Sequence, residues 1–99
     1  VLVNNAGFGA FKPFADTPLA RVGGMVAVNV TALTELSHLF AAPMIERGEG
    51  RILNVASVAS FSPTPGAAVY GATKAFVLSL SEALSEELRP HGITVTALC

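Results

Sequence analysis

Arg51-Ile52-Leu53-Asn54-Val55-Ala56 decides the fold. It is an apolar run of strand length, bounded by Gly48 and Gly50 on one side and by Ser57 and a loop rich in Ser, Pro and Gly on the other. Helical patterns flank it on both sides. Upstream, Asp16-Thr17-Pro18 predicts a helix start, with a capping side chain before a proline at the first helical position. That helix is expected to reach about Arg47, with a bend or break where Gly23-Gly24 and Pro43 weaken it. Downstream, Phe76, Leu80, Leu84 and Leu88, with Val77, form an apolar stripe that predicts a helix over about Val69 to Arg89, ended by Pro90 and Gly92. Val1-Leu2-Val3 and Ile93-Thr94-Val95-Thr96-Ala97-Leu98 read as the outer two strands.

The order is β-α-β-α-β, which argues an α/β fold with a parallel sheet. Right-handed crossovers stepping in one direction put both helices on one face. Parallel sheets are almost always covered on both faces. Residues 1–99 are therefore expected to be the central part of a single larger domain, rather than a small domain stable by itself. The 52% hydrophobic and 13% charged content agrees with a deeply buried sheet. Polar residues such as Asn29, Thr31 and Glu35 interrupt the longest apolar candidate, so no membrane span is expected. A net charge of −1 with no basic stripe gives no case for nucleic acid. The single Cys99 permits no internal disulfide, and no spacing suits a metal site. A cytoplasmic setting is compatible with that cysteine usage.

The chemistry concentrates in Tyr70-Gly71-Ala72-Thr73-Lys74. Residues four apart at a helix start share one face. A free phenol, with a pKa near ~10, is a poor base at neutral pH. A nearby ammonium favours the phenolate, and the helix N-terminus adds to that field. Such a pair suits general acid/base work on an alcohol or carbonyl. Ser57 follows the middle strand, thirteen positions before Tyr70, at the edge where open α/β sheets bind ligands. Its hydroxyl is placed to hold a substrate oxygen. Asn4-Asn5-Ala6-Gly7 ends the first strand at the same edge. Asn29 stands mid-helix, where an amide has no propensity reason to be.

Together these residues resemble the short-chain dehydrogenase/reductase family: Asn4-Asn5-Ala6-Gly7, Asn29 within Val28-Asn29-Val30, Ser57 after Asn54-Val55-Ala56, and Tyr70 with Lys74. The resemblance covers essentially the whole chain. It implies a Rossmann-like fold, with this chain as the fourth to sixth strands. It implies an oxidoreductase that moves a hydride between NAD or NADP and a small alcohol or carbonyl compound. Tyr70 would be the acid/base. Lys74 would make the phenol more acidic and bind the nicotinamide ribose. Ser57 would orient the substrate oxygen, and Asn29 would hold a water in a proton relay. Asn4, Ala6 and Gly7 would lie along the cofactor near its adenosine ribose. The family often pairs subunits through its long helices, so a homo-oligomeric parent (dimer or tetramer) is expected.

The glycine-rich turn of the family's first strand is absent, and so is the segment after its sixth strand. The chain alone is therefore expected to be inactive. The alternative is a non-catalytic Rossmann-like nucleotide-binding or scaffold module. The Ser57, Tyr70 and Lys74 set argues against it, because a pure binder has no use for a tuned phenol. His38, His91, Cys99 and the Glu82, Glu86 and Glu87 face carry no site in this reading. Phe8, Phe11 and Phe14 are assigned to packing beneath the loop in preference to lining a substrate pocket.

Overall fold

The computed structural model describes residues 1–7, 9, 11–57, 60 and 65–99. Phe8, and positions 58, 59 and 61–64 of the loop after the middle strand, lie outside the described residues. Three strands form one sheet: β1 (Leu2–Asn4), β2 (Gly50–Val55) and β3 (Ile93–Leu98), in that spatial order. Both pairings are parallel, with Leu2 opposite Ile52 and Ile52 opposite Val95. The β1–β2 crossover contains α1 (Leu19–Val26), a wider π-helical turn (Ala27–Ala32) and α2 (Leu33–Arg47). The β2–β3 crossover contains α3 (Ala68–Leu88).

Both crossovers pack on one face of the sheet, as expected. Met44 of α2 and Leu88 of α3 meet Ile52, Ile93 and Val95 in one buried cluster. Leu33, Ala56 and Val77 form a second, toward the other end of the strands. Val77 is fully buried. The opposite face is open in this chain: Val3 is 53% and Leu98 55% exposed, and Arg51, Thr94 and Thr96 are exposed beside them.

Three local expectations are corrected. Pro18 occupies the cap position rather than the first helical one, and it makes no side-chain cap. The Thr17 hydroxyl donates to the Pro13 carbonyl at 3.1 Å and closes the preceding turn, while Arg21 and Val22 donate to the Pro18 carbonyl. The long helix runs through Gly23-Gly24 and Pro43; its irregularity is the π turn around the buried Asn29. On α3 the buried face runs through Gly71, Thr73, Lys74, Val77, Ser81 and Leu88, and Phe76 stays 39% exposed. Adjacent helical positions diverge by about 100°, so a stripe centred on Val77 turns Phe76 outward.

The run Leu19–Arg47 is long and apolar enough to cross a membrane by length and composition, a property that a core helix of a soluble protein shares. Met25, Asn29, Leu33, Ser37 and Met44 are its buried side, with Val22, Val28, Val30, Thr34 and Ala41 partly buried beside them.

At the amino-terminal edge, Gly48 ends α2 in a left-handed conformation (φ 73°), and Gly92 does the same after α3 (φ 78°). A side chain on Gly92 would collide with the Gly48 carbonyl oxygen. Only glycine meets both conditions there.

Candidate active site

The carboxyl ends of β1 and β2 place Asn4 opposite Asn54. The Asn4 amide donates to Asn54 Oδ1 at 2.8 Å and to Ser37 Oγ at 3.2 Å. Asn54 in turn donates to Ser81 Oγ at 3.0 Å, and Ser81 donates to the Val77 carbonyl at 2.7 Å. All four side chains are buried. They tie β1 and β2 to α2 and α3 through groups that satisfy one another, as buried amides require. The Asn4 side chain is thus committed to the interior, and Asn5, Ala6 and Gly7 emerge from the strand end into exposed positions.

Gly7 runs directly over the next layer. A β-carbon there would lie 3.0 Å from Asn29 Oδ1 and 3.2 Å from Lys74 Nζ. Lys74 is only 6% exposed; its ammonium donates to the Val55 carbonyl at 3.1 Å and sits 5.8 Å from the centre of the Tyr70 ring. An ammonium carries three donors, so capacity remains for a ligand. The ion pair among the described residues, Glu86–Arg89, lies at the far end of α3. Among the described residues no salt bridge to Lys74 is present, and a buried cation of this kind favours negative charge in its neighbourhood.

Tyr70 is half-buried. Gly9 presses on one side of its ring, where a β-carbon would lie 2.7 Å from Cδ1. Phe11 packs against the ring with centroids 5.7 Å apart and planes tilted by 54°, an ordinary aromatic pair. Asn29 donates to Thr73 Oγ1 at 3.1 Å, and Thr73 Oγ1 donates to the Tyr70 carbonyl at 2.7 Å. Ser57 arrives through its backbone. Its N–H donates to Ser60 Oγ at 3.2 Å, the Ser60 N–H returns to the Ser57 carbonyl at 2.9 Å, and Ser60 Oγ donates to the Lys74 carbonyl at 2.9 Å.

The structure thus gathers Gly7, Asn29, Tyr70 and Lys74 at one edge and ties Ser57 to the same helix. Ala6 lies in the exposed loop beside them, and Asn4 sits in the buried ladder below. Sequence reading passed over three residues. Gly9 has no side chain, and that is what admits the Tyr70 ring. Thr73 and Ser60 are hydroxyls that bond the backbone of Tyr70 and Lys74. Their spacing, three residues after Tyr70 and three after Ser57, was the available signal.

The family model described as short chain dehydrogenase matches residues 1–99. The very-long-chain 3-oxoacyl-CoA reductase of Laccaria bicolor is 43% identical over 100 aligned positions, covering 99% of this chain and 30% of that protein. Among solved structures, the bulky-bulky ketone specific alcohol dehydrogenase from Comamonas testosteroni superposes with a TM-score of 0.93 at 45% identity, covering 97% of this chain and 39% of that one. A short-chain dehydrogenase from Sphingobium yanoikuyae in complex with NADPH gives 0.92 at 43% identity, with 97% and 38% covered. The chain spans less than half the length of each of these proteins.

Proposed function

Because this chain belongs to the short-chain dehydrogenase family, we propose that it forms the catalytic segment of an NAD(P)-dependent oxidoreductase acting on an alcohol or carbonyl group. The observation that carries this reading is the buried Lys74 ammonium, 5.8 Å from the Tyr70 ring and under the Gly7 backbone. The residues fit a dinucleotide. Ala6 and Gly7 offer exposed backbone beside a cation with spare donors, and a side chain at Gly7 would fill that cradle. In this reading Lys74 holds the nicotinamide ribose, and Asn4, Ala6 and Gly7 support the adenosine side, Asn4 through its backbone. The nicotinamide, when bound, exchanges a hydride with the carbinol carbon.

The chain's own residues handle the proton. Tyr70 gives it to the substrate oxygen in reduction and takes it back in oxidation. Lys74 stabilises the negative charge that develops on the Tyr70 oxygen. Ser57 orients the substrate oxygen with its hydroxyl. Asn29 holds a water that exchanges protons between Lys74 and solvent. A homo-oligomeric parent accords with the exposed Leu39, Phe40 and Phe76 on the helices.

The test is Tyr70→Phe in the whole protein that carries this segment. Turnover is expected to fall about 10³-fold, within the range for loss of a general acid/base, while nucleotide affinity stays within about twofold. Near-normal turnover would remove Tyr70 from the reaction. Lys74→Ala is expected to weaken both turnover and nucleotide binding, measured by titration; intact binding would cancel its ribose contact.

A further inference from the structure

Thr73 is buried on α3, immediately before Lys74, and its hydroxyl makes two bonds. It donates to the Tyr70 carbonyl at 2.7 Å and accepts from Asn29 Nδ2 at 3.1 Å. The first bond alone is an ordinary habit of a helical threonine. The second reaches 44 positions back, to the π-helical turn of the first crossover. Such turns within helices frequently mark functional sites.

The two bonds share one direction. A backbone carbonyl only accepts, so the Tyr70 carbonyl takes the single hydroxyl proton. Thr73 then offers Asn29 lone pairs, and Asn29 meets them with its NH2 end. The carbonyl end of the amide is thereby sent the other way. A β-carbon on Gly7 would lie 3.0 Å from Asn29 Oδ1 and 3.6 Å from its Cγ, so the oxygen leads toward Gly7. Lys74 Nζ approaches the same point, at 3.2 Å. Turned over, the amide would bring its NH2 beside the ammonium, donor against donor. Its oxygen would meet the lone pairs of Thr73. Both contacts are costly for a side chain that is only 1% exposed.

We infer that Thr73 is a positioning residue for the reaction: its hydroxyl fixes the orientation of Asn29, so that an acceptor faces the Lys74 ammonium and the Gly7 backbone. Thr73 acts through Asn29, not on the substrate. The role rests on the oxidoreductase reading, in which Asn29 serves the proton path to Lys74.

The experiment uses the whole protein that carries this segment, with NADH and NADPH each supplied against a panel of aliphatic and aryl ketones. Thr73→Val keeps the shape of the side chain and removes the hydroxyl. It is expected to lower kcat about tenfold, with nucleotide affinity held within about threefold. Thr73→Ala removes the same hydroxyl and repeats the test should the valine variant misfold. Thr73→Ser keeps the hydroxyl and should hold kcat within about twofold of wild type. An Asn29→Ala background tests the route. There Thr73→Val should change kcat by less than about twofold, because residues that act as a unit are not additive. A hydroxyl-free variant with wild-type kcat overturns the positioning role. So does a Thr73→Ser enzyme as impaired as Thr73→Val, or an undiminished loss in the Asn29→Ala background. Each of those results leaves the oxidoreductase reading standing, provided that wild type reduces a ketone and Tyr70→Phe does not. No reduction of any ketone by wild type with either nucleotide overturns that reading and this role together.

Discussion

The two ends of this sheet are built from different materials. At the amino-terminal edge, Met44, Ile52, Leu88, Ile93 and Val95 close a dry cluster, and Gly48 and Gly92 turn the chain tightly beneath it. At the carboxyl edge the apolar cluster of Leu33, Ala56 and Val77 is joined by the buried polar groups Asn4, Asn54, Ser37, Ser81, Thr73, Asn29 and Lys74. The first end is held by shape and area. The second adds to its apolar contacts directed bonds between groups that are expensive to bury alone. The same strands run through both ends, so their division of labour follows from strand direction, which brings ligands to the carboxyl edge.

This contrast can be broken or sharpened by substitution in the whole protein, with stability read from chemical denaturation. The largest effect is expected from Gly92→Ala, which combines a left-handed backbone with a collision against the Gly48 carbonyl. It should lose about 3 kcal/mol or more. A loss below about 1 kcal/mol would mean that the amino-terminal turns are not tightly packed. Next comes Asn54→Leu, which removes the acceptor of the shorter Asn4 bond and the donor to the Ser81 hydroxyl. A loss of about 2–3 kcal/mol is expected, against less than about 1.5 kcal/mol for Ile52→Val at the dry end. If the order of those two reverses, the polar ladder is not what holds the carboxyl edge.

Ser60→Ala should cost only about 1 kcal/mol in stability. It should still lower kcat severalfold, with nucleotide affinity retained, because Ser60 links the Ser57 N–H to the Lys74 carbonyl. Ser60→Thr, which keeps the hydroxyl, should recover most of that kcat. Equal activity in both variants would separate Ser60 from the chemistry. The smallest effect is reserved for Glu86→Gln in the exposed pair with Arg89, expected to be within about 0.5 kcal/mol of wild type.

Periodicity and glycine placement made much of the fold legible. β2, β3 and α3 fall within a residue of their expected limits, because each is bounded by Gly, Pro or a polar loop. The shared face of Tyr70 and Lys74 was legible for the same reason, since local helical geometry fixes it. The rest depended on contacts distant in sequence. The π turn at Ala27–Ala32 surrounds Asn29, whose partner Thr73 lies 44 positions away. Thr17 looked like a cap until Pro13 took its hydroxyl. Asn4 looked like a ligand contact on the strand rim, yet its side chain turns inward because Asn54 and Ser37 await it.

The pairing of Asn4 with Asn54 also bears on how the chain folds. The two lie 50 residues apart, with the whole first crossover between them, so their bond closes a long loop and belongs among the late events. An intermediate with β1 slid along β2 by one residue would turn Asn4 to the open face and leave the buried Asn54 Oδ1 without its donor, a penalty of about 1–3 kcal/mol. The amide pair thus acts as a proofreading step, favouring the one strand alignment that also brings Gly7 over Lys74.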